Sequence, residues 1–234
     1  MFVTGATFLW GASTVVGRAV HQDLPPIGTS FWRWFLAALV LLLFVWRDLP
    51  RKQTLIVKNF PLILLLGILQ VGSSALLYLG LNYTTAISAT LINASQPALT
   101  VIPAWLLTRD RVTFGQSIGI IAALLGIIVM VSQGNLNTLL ALQFNIGDIF
   151  ALLAIVGWAI YATLLHRLPE ELGFGTTLFV IFLSGSLIIL PFYFIESAAF
   201  RVVPFSKSAV GIIIMLGIVV SLGSVALWNS SLRA

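Results

Sequence analysis

The chain contains no cysteine and few charged residues. Without cysteine it can form neither a disulfide framework nor a thiolate metal site. Only 8% of its 234 residues are charged, 59% are hydrophobic, and the mean hydropathy is +1.08. Seven acidic and 12 basic side chains could not cover the surface of a soluble domain of this length. The composition therefore predicts a membrane protein, with the lipid bilayer as its main partner.

Groups that could carry out catalysis are equally scarce. The sequence has no pair of acids inside an apolar run, no His-x-x-x-His and no Gly-x-Ser-x-Gly. His21 and His166 flank different apolar runs and do not form one metal site. We therefore expect no enzyme, no metal and no cofactor. No apolar run has a carboxylate at its centre, which argues against a proton relay, and Asp148 and Glu196 are expected in water at helix ends.

Long apolar runs divide the chain into candidate membrane spans. A spanning helix needs about 20 mostly apolar residues, and lipid offers no hydrogen-bond partner to an exposed backbone. The predicted fold class is therefore an all-α, polytopic membrane helix bundle. Eight runs qualify: 2–20, 28–46, 60–81, 86–108, 114–132, 147–166, 174–195 and 208–230.

The basic residues predict the orientation of these spans. If the N-terminus is cytoplasmic, most of the basic residues fall on the cytoplasmic side of the membrane. Arg201 and Lys207 then fall on the outer side, and Arg18 lies near it. The first run lacks a basic leader and a cleavage site, so it is expected to be a retained helix. We predict a multi-pass protein of the inner cell membrane with a cytoplasmic N-terminus. The net charge of +5 sits in short loops and predicts membrane anchoring, with no nucleic acid as partner. The cytoplasmic set is Arg47, Arg51, Lys52, Lys58, Arg109, Arg111, Arg167 and Arg233.

Two parts of the chain resemble each other at an offset of 147–151 residues. Gly28-Thr29-Ser30-Phe31-Trp32 returns as Gly175-Thr176-Thr177-Leu178-Phe179, Trp10 pairs with Trp158, and Gly72-Ser73 pairs with Gly223-Ser224. A first repeat, 1–132, would hold five spans, and this odd number inverts the second repeat, 147–234, in the membrane. The domain prediction is an inverted repeat of five-helix units whose second copy is incomplete, with three spans.

Two arginines, Arg18 and Arg33, lie within the predicted spans. A charge inside a membrane costs about 2.5–3.5 kcal/mol on insertion scales, so both are functional candidates. In one interpretation both side chains extend to the outer interface, with Trp32 and Trp34 in an aromatic belt. In the other, one of them binds a substrate carboxylate. The sequence leaves both interpretations open.

Polar stripes on helix faces supply the other binding candidates. In the fourth span Asn93, Gln96, Thr100 and Pro103 recur at helical spacing, and its prolines free backbone carbonyls, as in a cavity wall. Similar faces in the first, third, sixth and eighth spans favour a mixed polar and aromatic pocket, although packing seams between helices are the alternative. The predicted substrate-binding residues are Trp10, Thr14, Arg18, Arg33, Gln70, Tyr78, Asn93, Gln96, Trp158, Tyr161 and Trp228.

An ordered set of loose motifs covers nearly the whole chain. They are Leu9-Trp10-Gly11-Ala12-Ser13, Phe31-Trp32-Arg33-Trp34-Phe35, Tyr78 to Thr84, Ala89-Thr90-Leu91-Ile92 with Pro97, Gly115 to Gly126, Trp158-Ala159-Ile160-Tyr161, and Leu227-Trp228-Asn229. In this order they resemble the EamA family of the drug/metabolite transporter superfamily. The resemblance implies ten helices in two inverted five-helix repeats, and carriage of small metabolites or drugs, often amino acids moving outward.

The leading functional hypothesis is a secondary transporter of small organic metabolites, an exporter by resemblance. It would work by alternating access at a central cavity, with one repeat rocking against the other. A carboxylate-bearing small molecule such as an amino acid is the favoured substrate if Arg18 or Arg33 faces that cavity. The alternative is a non-transporting membrane fragment, or a subunit that completes the carrier as a homodimer. A channel ranks last, because the sequence shows no filter-like segment or ring of charges.

Overall fold

Helices form all the regular structure in the described part of the chain. The computed structural model describes residues 2–85, 88, 92, 95–108, 113–132, 145–225 and 227. These ranges contain no strand, and a single 3₁₀ turn, Glu170–Leu172, precedes the eighth helix. The helices are α1 Phe2–Ala19, α2 Pro26–Val45, α3 Leu49–Lys58, α4 Phe60–Tyr83, α5 Gln96–Thr108, α6 Phe114–Ser132, α7 Ile146–Leu165, α8 Phe174–Ala199 and α9 Lys207–Gly223.

Four of these helices, α2, α4, α7 and α8, are long and apolar enough to cross a membrane, with 20–26 residues each. Shorter apolar stretches occur in α5, α6 and α9. The predicted fold class, an all-α membrane helix bundle, is thereby confirmed. Helix α1 is 18 residues long but carries Arg18 in its last turn, which lowers its mean hydropathy. Most of 86–94, the first part of the fourth predicted span, lies outside the described residues.

Local sequence signals determine where the helices begin. Pro26, Pro50 and Pro61 stand in the first turns of α2, α3 and α4, where a missing N–H costs no hydrogen bond. Asn145 begins α7 with a capping box, accepting from the backbone of Gly147 and Asp148. Each apolar run therefore carries its own start signal, which is why the helix bounds follow the sequence closely.

Two glycine pairs allow helices from the two predicted repeats to cross at backbone distance. A Cβ built on Gly185 of α8 would lie 2.4 Å from the carbonyl oxygen of Gly67 in α4. A Cβ on Gly147 of α7 would lie 2.5 Å from the carbonyl oxygen of Gly80, also in α4. No side chain fits at either crossing, so glycine is what allows α8 and α7 to pack directly on α4.

Helices α4 and α9 each widen into a π-helical segment, Ile68–Gly72 in α4 and Met215–Gly223 in α9. The two segments fall at matching positions under the 147–151 offset, since Gly72 pairs with Gly223. The apolar pattern predicted regular helices here. A π-helical turn inserts one residue and is commonly found at functional sites, so both segments are of interest below.

Helix α3 was not predicted, because the apolar runs left residues 47–59 as a loop between the second and third spans. Leu49, Leu55 and Ile56 pack partly against the core, whereas Arg51 and Lys58 are exposed. The segment is therefore a short amphipathic helix at one end of the bundle. With 10 residues and no buried side chain it is too short and too polar to count as a span, which is why a search for long apolar runs missed it.

The expectation that Asp148 and Glu196 lie in water is wrong, because both carboxylates are buried, with 3% and 7% of their surface exposed. Asp148 accepts hydrogen bonds from the backbone nitrogen of Asn145 at 2.9 Å and from the hydroxyl of Thr84. Glu196 accepts from backbone nitrogens at the start of α2. Each acid satisfies the N–H groups at a helix start, a role that depends on packing and that no apolar pattern reveals.

We expect Asp148→Ala to destabilise the fold by about 1–3 kcal/mol, because the Thr84 hydroxyl and the Asn145 N–H lose a buried acceptor. Unfolding of the purified chain by denaturing detergent in mixed micelles measures this change. Asp23→Ala, which removes an exposed carboxylate, is the matched control. Equal free energies of unfolding for the two variants would show that the cap at Asp148 contributes nothing.

Candidate functional site

Arg33 lies inside the bundle, with 7% of its surface exposed. Its Nε donates to the Ser221 hydroxyl at 2.7 Å. Its Nη1 donates to the Tyr78 hydroxyl at 2.7 Å and to the Ser13 hydroxyl at 3.0 Å. The guanidinium is thus held by α1, α4 and α9, and these three helices cover it where it projects from α2. The anchoring interpretation of Arg33 does not fit this geometry.

The partners of the Arg33 guanidinium are electrically neutral. In the described part of the chain the one ion pair joins Lys52 to Asp48 at 3.7 Å, so no carboxylate there neutralises Arg33. Two aromatic rings flank the charge, with the guanidinium carbon 4.9 Å from the Trp34 ring centroid and 5.9 Å from that of Tyr78. Hydroxyl dipoles and ring faces stabilise a cation only in part, so a positive charge remains inside the bundle.

Glycines on two neighbouring helices bring these partners within reach. A Cβ on Gly217 of α9 would lie 2.8 Å from the carbonyl oxygen of Arg33, and one on Gly17 of α1 would lie 2.6 Å from the Tyr78 ring. In the π-helical segment of α9 the Ser221 hydroxyl donates to the carbonyl of Leu216, five residues back, at 3.0 Å. Its oxygen is thereby left to accept from Arg33.

Arg18, the other arginine candidate, has a different position. It is half-buried in the last turn of α1, and its Nη1 donates to the backbone carbonyl of Leu81 near the end of α4. A cation at a helix C-terminus satisfies carbonyls that have no partner within the helix. This contact makes Arg18 a cap for α4. A cavity of about 10 Å³, roughly one water in size, lies between α1 and α4 and is lined in part by Gly17, His21 and Tyr78.

The aromatic candidates form a second group at the junction of α1 and α7. The rings of Trp10 and Trp158 meet edge to face with centroids 5.6 Å apart, and Trp158 lies 6.4 Å from Tyr161. Thr14 donates to the backbone carbonyl of Trp10 at 3.4 Å. The structure therefore brings Trp10, Thr14, Trp158 and Tyr161 together, and it brings Arg33 and Tyr78 together.

The remaining candidates are more scattered. Gln70 is buried in the π-helical segment of α4, and its side-chain Oε1 has no hydrogen-bond partner in the described part of the chain. Gln96 begins α5, where its backbone carbonyl accepts from Thr100 at 2.7 Å. Asn93 and Trp228 lie outside the described residues. Gln70 is thus a buried acceptor in need of a donor, whereas Gln96 shows only a contact within its own helix.

Ser13 and Ser221 belong to the Arg33 site but are absent from the predicted set. Ser221 shares a helix face with Gly217, and this pairing of a small hydroxyl with a glycine was the available signal. Ser13 lies one position from Thr14, on the edge of the polar face of α1. Serines are common in membrane helices, so neither could be selected before the position of Arg33 was known.

Comparisons with known proteins agree on the family. The model of the EamA-like transporter family matches residues 1–132, more than half of the chain. The uncharacterized transporter YyaM of Bacillus subtilis is 32% identical over 169 residues, covering 72% of this chain and 53% of YyaM. An uncharacterized transporter of Archaeoglobus fulgidus is 25% identical over 229 residues, covering 96% of this chain and 76% of that protein.

A third relative, the uncharacterized transporter YetK of Bacillus subtilis, is 25% identical over 206 residues, covering 85% of this chain and 60% of YetK. The matched part of the chain thus spans little more than half the length of the two Bacillus relatives. No solved structure matches the chain. Apolar helices, an ordered motif set and these matches lead to one conclusion: this multi-pass membrane protein belongs to the EamA-like transporter family.

Proposed function

We propose that the chain acts as a secondary transporter of small organic solutes that carry a carboxylate, and that Arg33 binds this group. The observation that carries the proposal is a buried guanidinium whose partners in the described part of the chain are neutral. A bound carboxylate would supply the missing negative charge in a planar geometry that matches guanidinium. Amino acids and other small carboxylic acids are the substrate class that this chemistry favours.

The surroundings of Arg33 favour an organic anion over an inorganic one. Trp34 and Tyr78 offer ring faces beside the charge. The Trp10–Trp158–Tyr161 group is a second aromatic surface, at the junction of α1 and α7. A mixed apolar and polar wall is typical of sites for small amphipathic solutes. Gln70, whose buried acceptor has no partner in the described part of the chain, lies eight residues before Tyr78 on α4, about 12 Å along the helix axis, and is a separate polar position on that helix.

The proposal includes alternating access within an inner-membrane protein whose N-terminus is cytoplasmic. The matching π-helical segments of α4 and α9 support two related units, 1–132 and 147–234, in inverted orientation. The bias of basic residues toward one side supports the orientation. Outward transport rests on the resemblance described above.

Solute accumulation by everted membrane vesicles tests this proposal. The panel consists of labelled amino acids and 2-oxo acids, each beside the amide that replaces its carboxylate with a neutral group. We expect vesicles that contain the chain to accumulate at least one acid about tenfold more than its amide, since a charge-assisted pair contributes about 1.5–3 kcal/mol. Equal accumulation of acid and amide would contradict the role of Arg33, and no accumulation of any solute would favour the non-transporting alternative.

Dependence on a second copy is tested in the same vesicles. If a homodimer completes the carrier, accumulation should rise with the square of the chain's density at low density, because two copies must meet. A linear dependence would contradict the homodimer.

A further inference from the structure

Helices α2 and α8 pack antiparallel along their whole length, although they come from different predicted repeats. Near the start of α2 the ring of Phe31 stacks on Tyr193 of α8, with centroids 5.2 Å apart. Farther along, Trp34 packs against Phe182 at 4.6 Å. At the end of α2, a Cβ on Gly175 would lie 3.0 Å from a methyl carbon of Val45. The contact is therefore continuous from one end to the other.

Polar contacts join α8 to α2 where α2 begins. The carboxylate of Glu196 accepts from the backbone nitrogens of Ile27 at 3.1 Å and Gly28 at 2.7 Å. Five residues after Glu196, Arg201 donates to the backbone carbonyl of Gln22, just before α2. Glu196 is buried, so separating the helices here would leave a buried carboxylate and two N–H groups without partners.

A corresponding contact joins the two helices where α2 ends. Lys52 donates from Nζ to the backbone carbonyl of Leu172 at 2.8 Å, just before α8, and lies 3.4 Å from the hydroxyl oxygen of Thr176 in the first turn of α8. Asp48, the residue before α3, pairs with Lys52 at 3.7 Å. Each end of the pair thus has a basic side chain that comes after one helix and binds beside the start of the other. Arg201 follows α8 and binds beside the start of α2, and Lys52 follows α2 and binds beside the start of α8.

The two end contacts use matching positions of the two repeats. Lys52 and Arg201 are 149 residues apart, and their acceptors Gln22 and Leu172 are 150 apart. The acids Asp48 and Glu196 are 148 apart. All three values fall within the 147–151 offset of the sequence repeat, which favours two end contacts related by that repeat, although Asp48 pairs with Lys52 whereas Glu196 binds N–H groups of α2.

We infer that α2 and α8 stay joined throughout the transport cycle, and that α1 and α9 part from each other beside this pair to expose Arg33. This inference rests on the proposed function. A solute reaches Arg33 only by replacing a group that covers it, and the guanidinium donates a single hydrogen bond to Ser13 of α1 and a single one to Ser221 of α9. Parting α1 from α9 breaks these bonds and the packing of Leu9 beside Gly223, whereas parting α2 from α8 breaks ring packing and both end contacts. The moving bodies are therefore not the sequence repeats, since α2 and α8 belong to different ones.

Distances between nitroxide labels test this inference without a transport assay. The chain has no cysteine, so paired cysteines can be labelled in an otherwise unchanged protein. Two pairs of positions report on the two ends of α2–α8, and all four positions are exposed and lie at or beside the residues of the end contacts. A third pair reports on α1–α9, where the Leu9 side chain lies 3.5 Å from a Cβ built on Gly223. The variants are Gln22→Cys with Val202→Cys, Gln53→Cys with Glu171→Cys, and Leu9→Cys with Gly223→Cys.

The distances are measured in liposomes, with and without L-glutamate as a carboxylate probe. We expect one label-to-label distance for each end pair and two such distances for the α1–α9 pair. A second, longer distance at either end would overturn the inference, and so would a single distance in all three pairs. These outcomes do not depend on whether Arg33 binds the carboxylate.

A tethering experiment adds a transport readout. Short bis-maleimide tethers across both ends should leave solute accumulation within about two-fold, whereas a tether between α1 and α9 should lower it about tenfold or more. Loss of accumulation with the end tethers, in variants that discriminate acid from amide before tethering, would refute the fixed pair and leave the proposed function intact. If each end pair of labels gives one distance but the protein does not discriminate acid from amide, the result counts against the proposed function and not against the fixed α2–α8 pair.

Discussion

Replacing Arg33 with glutamine is expected to lower accumulation of the preferred acid by roughly 10- to 150-fold, because a charge-assisted hydrogen bond of about 1.5–3 kcal/mol is lost. Accumulation of the matching amide should change little. The ratio of acid to amide accumulation is therefore the measurement, since it cancels differences in the amount of folded protein. Arg33→Lys keeps the charge but loses the planar fork, and should fall between wild type and Arg33→Gln.

Arg47→Gln is the matched control for this prediction. Arg47 is exposed after the end of α2, with its guanidinium carbon 5.0 Å from the Trp46 ring centroid. It is an arginine on the same segment of chain, but it does not lie inside the bundle. An acid-to-amide ratio that falls equally in both variants would show that general membrane electrostatics, and not a site at Arg33, select the acid.

Gly185→Ala is expected to destabilise the fold by about 1–3 kcal/mol, the usual cost of overpacking. The added Cβ would lie 2.4 Å from the backbone carbonyl oxygen of Gly67, and a backbone atom cannot move aside as a flexible side chain can. Helices α4 and α8 must therefore separate. Unfolding of the purified chain by denaturing detergent in mixed micelles gives the free-energy difference.

Gly211→Ala serves as the control for the crossing. Gly211 lies in α9, and a Cβ built there has no atom within 4 Å. This variant should be neutral or slightly stabilising, because alanine favours helix by about 1 kcal/mol over glycine. If Gly185→Ala is no less stable than Gly211→Ala, the direct crossing of α4 and α8 is contradicted.

Apolar run length predicted most of the helix positions, because a membrane span is specified by its own residues. The predicted 147–166 and the observed Ile146–Leu165 differ by a single residue at each end. Helix α3 was missed because its amphipathic pattern is only 10 residues long. The burial of Asp148 and Glu196 was also missed. Each acid accepts a hydrogen bond from a group outside its own helix, and the apolar pattern of one helix does not reveal such partners.

The candidate site could be predicted only in part. Arg33 was chosen because a charged group is rare and costly inside a membrane, and Tyr78 because it lies on a polar face of the third span. Whether Arg33 turned inward could not be read from α2 alone, since the answer depends on Gly217 and Gly17, which bring α9 and α1 close to it. The roles of Asn93 and Trp228 stay predictions, because both lie outside the described residues.

The fluorescence of Trp34 offers the most direct test that a carboxylate binds at Arg33. The ring centroid of Trp34 lies 4.9 Å from the guanidinium carbon, so an anion bound there should change its emission. Titration of the purified chain with the preferred acid should give a saturable change that is absent with the amide. The change should disappear in Trp34→Phe, which removes one of seven tryptophans, and in Arg33→Gln. A change of the same size with acid and amide, or one that persists in Arg33→Gln, would contradict binding at this site.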